Sequence, residues 1–155
     1  YAVSFLTIGI MWLNHHTMLA QISRVDRTTL VLNIVLLMGI VVIPFPTALV
    51  AEHLGSKAPP GGHVAAVVYG INMIVVSVAY ATLWLYLTAH REALGGTRPA
   101  ATPRASTLRF TGGLAGYVAG TLVAGFGFAA VAVAIYAVIA VYYLFEHLPT
   151  PASAA

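Results

Sequence analysis

The sequence predicts an all-α, polytopic membrane helix bundle, and three observations carry that prediction. Apolar residues, counted with Tyr, Trp and Cys, make up 60% of the chain and charged residues 7%. Soluble domains sit near roughly 45–50% apolar and about 25% charged, and a chain of 155 residues has too little interior to hide the excess from water. The apolar residues also fall in runs of about 20, the length that crosses a hydrocarbon core. The arginines lie between these runs rather than on one soluble face, so the net charge of +3 is a topology signal and no nucleic-acid partner is expected. Strands are disfavoured by the length of the runs and by the unpaired edges an open sheet would expose to lipid. A barrel would need short alternating segments.

Five spanning helices are expected, at about residues 1–22, 29–51, 64–89, 108–124 and 128–146, within a single membrane domain over 1–147. The last two come from one apolar stretch with no charge between Arg109 and Glu146. As one helix it would be about 60 Å long, twice the hydrocarbon core, so it must fold back, and Gly125-Phe126-Gly127 is the expected turn. Residues 90–107 hold Gly95, Gly96, Pro99 and Pro103 without an apolar period and read as a flexible loop. The tail 148–155 is expected to be disordered. Tyr1 begins inside an apolar run, with no initiator Met and no basic segment before it, so a sixth, N-terminal helix is expected upstream.

Loop charges set the expected orientation. Arg24 and Arg27 lie between the first two helices; Arg91, Arg98, Arg104 and Arg109 lie between the third and fourth. Five spans put both groups on one side, with Lys57 and the Gly125 turn opposite. The positive-inside rule then places the Arg loops and the C-terminus in the cytoplasm of a multi-pass cell-membrane protein.

Catalysis finds little support. Glu52, Glu92 and Glu146 sit at the ends of runs and Asp26 in a loop, so no carboxylate pair lies within a span. There is no phosphate-binding glycine loop, and with no Cys there is no thiolate or disulfide chemistry. No enzyme activity and no cofactor are expected. The informative residues are polar groups within spans, which face the protein interior and find partners there. Asn14, His15 and His16 lie in the first helix, with Trp12 one turn from His16. Two helical metal ligands need an i, i+4 spacing; the histidines are adjacent, so no metal site is expected. They form either a hydrogen-bonded packing pair or part of a polar network steadying a conduction path. Asn33 and Asn72 are further buried amides that orient helices. Pro44 and Pro46 each remove a backbone donor, so the second helix should kink or end there. Gly112, Gly116 and Gly120, with Ala124, recur every four residues and should admit a close packing partner, within the subunit or between subunits.

Taken together, Ser4-Phe5, Trp12-x-x-His15-His16, Asn33 and Ile43-Pro44-Phe45 resemble the transmembrane protein 175 family, the endolysosomal and bacterial potassium-permeable channels. The similarity is densest over residues 1–54; the later helices match in number and spacing. The resemblance implies a single-repeat bacterial form, six helices per repeat, a homotetramer in membrane lipid, and potassium ions as the permeating species. It also implies that the first helix here corresponds to the family's second, and that the pore-lining helix with its Arg-x-x-x-Phe-Ser-Asp motif lies upstream. Trp12, His15, His16 and Asn33 are then the set that supports that helix. The functional expectation is a subunit of an oligomeric, passive potassium-permeable channel. The alternatives are a secondary transporter, which would use broken helices and intramembrane ionisable groups, or a non-conducting membrane scaffold.

Overall fold

A computed structural model describes residues 2–53, 61–96 and 103–145. Six helices follow in order: α1 (Ala2–Leu19), α2 (Arg27–Val42), α3 (Pro44–His53), α4 (Gly62–Ala89), α5 (Pro103–Gly125) and α6 (Ala129–Phe145). Among the described residues there is no strand. The α2 and α3 helices are two halves of one rod, so the described residues form five rods. Arg27–His53, taken across its break, and Gly62–Ala89 are long and apolar enough to cross a bilayer; Gly112–Gly125 and Ala129–Leu144 are shorter apolar stretches.

The helix ends follow from local chemistry. The α2 helix starts at Arg27 because Asp26 is its N-cap, accepting a 2.8 Å bond from the Thr29 backbone N–H. The α5 helix starts at Pro103, so the expected loop at 90–107 is shorter than its composition suggested. Proline suits the first helical position, where its missing N–H has no intrahelical role. Residues 97–102 of that loop, and the tail 148–155, lie outside the described residues. Between α5 and α6 the chain reverses through Gly127 at φ +93°. Gly127 N–H bonds Ala124 O and Phe128 N–H bonds Val123 O, the paired pattern that closes a helix through a left-handed glycine.

The centre of the bundle is α4, which packs against α2, α3, α5 and α6. Its buried residues include Ala66, Gly70, Met73, Val76, Tyr80, Leu83 and Leu87, three and four apart, so one stripe faces its neighbours. Leu36, Ile40 and Ile43 meet it from the α2–α3 rod, and Tyr117, Ala132 and Tyr136 from α5 and α6. The α1 helix lies at the edge, approaching α3 and α6 most closely and turning Ser4, Thr7, Ile10 and Met18 inward. Large apolar side chains point outward around the whole bundle: Phe5 is 82% exposed, Val41 76% and Val138 69%. A surface of that kind is stable only against lipid or against other protein.

The two Arg-bearing connections meet at one end. Ser23 and Arg24 donate backbone N–H bonds of 3.1 and 3.0 Å to Leu94 O, and Ser23 Oγ donates to Gly95 O at 3.0 Å. Gly95 has φ +62°, and a Cβ there would also strike Ser23 Oγ. The turn into α2 is thereby stitched to the exit of α4.

Candidate functional site

The polar residues picked out of the first helix divide into two pairs. His15 Nε2 donates to Asn33 Oδ1 across 2.5 Å, joining α1 to α2, and both residues are half-buried. His16 does not join them. Its ring stacks on Trp12, centroids 5.3 Å apart and planes 13° from parallel. Trp12 is 59% exposed and His16 is exposed as well, so this pair lies on the outer face of α1. Adjacent residues on a helix lie about 100° apart, which is why the two imidazoles diverge to different partners. Asn14 turns back on its own helix, Nδ2 donating to Ile10 O at 3.1 Å. Among the described residues no three His, Asp or Glu side chains converge as metal ligands would.

The other singled-out residues sit elsewhere in the bundle. Pro44 and Pro46 both lie in the first turn of α3, just after the break at Ile43, with Pro46 buried. Asn72 Nδ2 reaches Gly39 O on α2 at 3.5 Å. In the glycine row, a Cβ on Gly120 would lie 2.5 Å from the Tyr136 ring and one on Gly116 2.8 Å from Ile139 Cδ1, while Gly112 meets nothing within 4 Å. The close partner of this row inside one chain is therefore the side-chain face of α6, not a second backbone.

Two polar clusters had no signal in sequence spacing. Tyr86 OH donates to Asp26 Oδ2 at 2.5 Å, tying α4 to the cap of α2 across 60 residues of sequence. Hydrogen bonds from Thr29 and from the Tyr86 hydroxyl hold the Asp26 carboxyl below its ordinary 3.8, at about 2. Tyr136 OH donates to Ala66 O at 3.2 Å and lies 3.2 Å from Thr121 Oγ1, so one hydroxyl touches α4 and α5 from α6. Gly70 makes room for it, since a Cβ there would collide with both Thr121 and Tyr136.

Fold and site together define a multi-pass α-helical membrane protein in which isolated polar bridges set the spacing of apolar rods. Comparison with known proteins narrows the class. A family model described as endosomal/lysosomal potassium channel TMEM175 matches residues 1–44. The chain is 39% identical over 153 residues to a potassium channel of Streptomyces collinus, covering 97% of this chain and 72% of that protein. A potassium channel of Chamaesiphon minutus matches at 37% identity over 84 residues, 54% of this chain and 40% of that protein. The crystal structure of a lysosomal potassium-selective channel TMEM175 homolog from Chamaesiphon minutus superposes with a TM-score of 0.76 at 28% identity, over 93% of this chain and 70% of that one. The chain belongs to the TMEM175 family.

Proposed function

We infer that this protein is a subunit of a potassium-permeable channel that conducts passively across a membrane. The observation that carries the reading is the 39% identity to a potassium channel along 97% of the chain. The architecture supports it. The packed centre of the described chain is apolar and aromatic, so one subunit offers an ion no wet path, and a pore on an axis shared by several copies supplies one. A homotetramer is the assembly the family resemblance implies. Selectivity then rests on constriction size and hydrophobic gating rather than on a carbonyl filter. In this assembly His15–Asn33 and Trp12–His16 brace the helices that stand behind the pore. The Arg-bearing loops and the C-terminus face the cytoplasm, in keeping with the positive-inside rule.

The protein reconstituted in liposomes tests the reading. Potassium flux should rise in proportion to the gradient without saturating and should need no coupled ion. Saturable flux tied to a second gradient would instead identify a transporter. Folded protein that moves no potassium would overturn both readings in favour of a scaffold.

A further inference from the structure

The break between α2 and α3 redistributes hydrogen bonds in a way that gives Asn72 a task. In an uninterrupted helix the N–H of residue 44 would bond Ile40 O and that of Ile43 would bond Gly39 O. Pro44 has no N–H. Ile40 O is taken instead by Ile43 N–H, in a three-residue turn of 3.1 Å. Ile43 N–H is thereby drawn from Gly39 O toward Ile40 O, as N–H groups shared between two carbonyls are at helix ends, and Asn72 Nδ2 from α4 approaches Gly39 O at 3.5 Å. The approach is possible because position 39 is glycine: a Cβ there would lie 2.9 Å from Val76 Cγ2. Val76 and Asn72 stand one turn apart on the same face of α4. An under-satisfied carbonyl is costly in an apolar setting, and an amide N–H can make up the deficit without carrying charge.

We propose that Asn72 is a positioning residue that supplements the Gly39 carbonyl, whose helical bond the Pro44 break weakens, and so holds the bend between α2 and α3. The α2 helix also carries Asn33, the partner of His15. The same latch therefore fixes the helix that braces α1, and its effect on conduction rests on the channel reading.

Four proteins test it: wild type, Asn72→Leu, Pro44→Ala and the double variant. Alanine at 44 restores a donor to Ile40 O, returns Ile43 N–H fully to Gly39 O, and leaves Asn72 little to add. Asn72→Leu is expected to lower the folded-to-unfolded ratio by roughly 3- to 18-fold in the wild-type background. In the Pro44→Ala background the loss should be under about 2-fold. Potassium flux per folded protein should fall in Asn72→Leu and return to the Pro44→Ala level in the double variant. Equal losses in both backgrounds, in either readout, overturn the proposal. Should Asn72→Leu alone not fold, recovery of a folded double variant supports it, and a double variant that stays unfolded while Pro44→Ala folds overturns it. The folding readout stands apart from conduction, so a wild type that carries no potassium counts against the channel reading and not against the latch.

Discussion

His15 and Asn33 form one short bond between α1 and α2. Interhelical hydrogen bonds in membranes average about 0.6 kcal/mol and reach about 1.7. A double-mutant cycle of His15→Leu and Asn33→Leu, followed by unfolding in detergent, should give a coupling energy in that range. His16→Leu should leave the coupling unchanged, because His16 stacks on Trp12 instead; coupling that vanishes in His16→Leu would show the two pairs acting as one network. A second residue-scale expectation concerns Asp26. Its folded-state pKa of about 2 lies below the ordinary 3.8, so the ionised form favours the folded state. That contribution is complete above the ordinary value and fades as pH falls toward about 2. Asp26→Asn keeps a capping acceptor and loses the charge. The wild-type melting midpoint should therefore exceed that of the variant at neutral pH, and the gap should close between pH 3.8 and about 2. The polar residues of α1 were legible in the sequence because polar groups inside apolar runs are rare. Their pairing was not, since helix spacing gives the direction of a side chain but not the distance to the next helix. Tyr86 was illegible for the same reason: its partner lies 60 residues away.

At the scale of elements, glycine spacing is read differently by different neighbours. Gly70, Gly116 and Gly120 receive side chains from adjoining helices, whereas Gly112 faces open space within one chain. Gly120→Ala and Gly70→Ala force new atoms into filled volume and should each cost about 1–3 kcal/mol. Gly112→Ala removes a flexible residue from a helix without a clash and should stabilise the isolated subunit by about 0.5–1 kcal/mol. Melting of the three variants in detergent checks the ranking, and a Gly112→Ala protein as damaged as Gly120→Ala would show that this position is covered in the assembly. The sequence could place the row on one helix face but could not tell aromatic knobs from a second backbone as its partner. Helix existence was easier to read, because the need to bury every backbone polar group leaves a long apolar run in lipid little alternative to a helix. Helix boundaries were harder. The α2 start depends on the cap at Asp26, and the α5 start on a proline inside a polar stretch that resembles a loop by composition.

For the whole molecule, the bonds from Ser23 and Arg24 to Leu94 bring the two arginine-bearing connections to one end of the bundle. The turn at Phe126 follows α5, which starts near that end, so it lies at the other. Same-side placement of the arginines was already legible from the parity of the spans. The faces that meet other subunits were not, because a helix surface facing lipid and one facing a like helix draw on the same apolar residues. Sidedness can be measured with single introduced thiols in a cysteine-free background, to which these 155 residues contribute no cysteine of their own. Glu92 and Phe126 are both exposed, at opposite ends. In intact cells, a membrane-impermeant maleimide should label Phe126→Cys at once and Glu92→Cys only after permeabilisation. Moving one arginine charge is a weak perturbation, but removing several should shift the balance, because orientation follows the bias of basic residues in short loops. Arg24→Gln, Arg27→Gln and Arg91→Gln together should therefore raise the fraction of Glu92→Cys labelled from outside. The reverse labelling of the two single-cysteine proteins would invert the proposed orientation. Labelling of both from one side would contradict the bundle itself, since α5 could not then run from one face to the other.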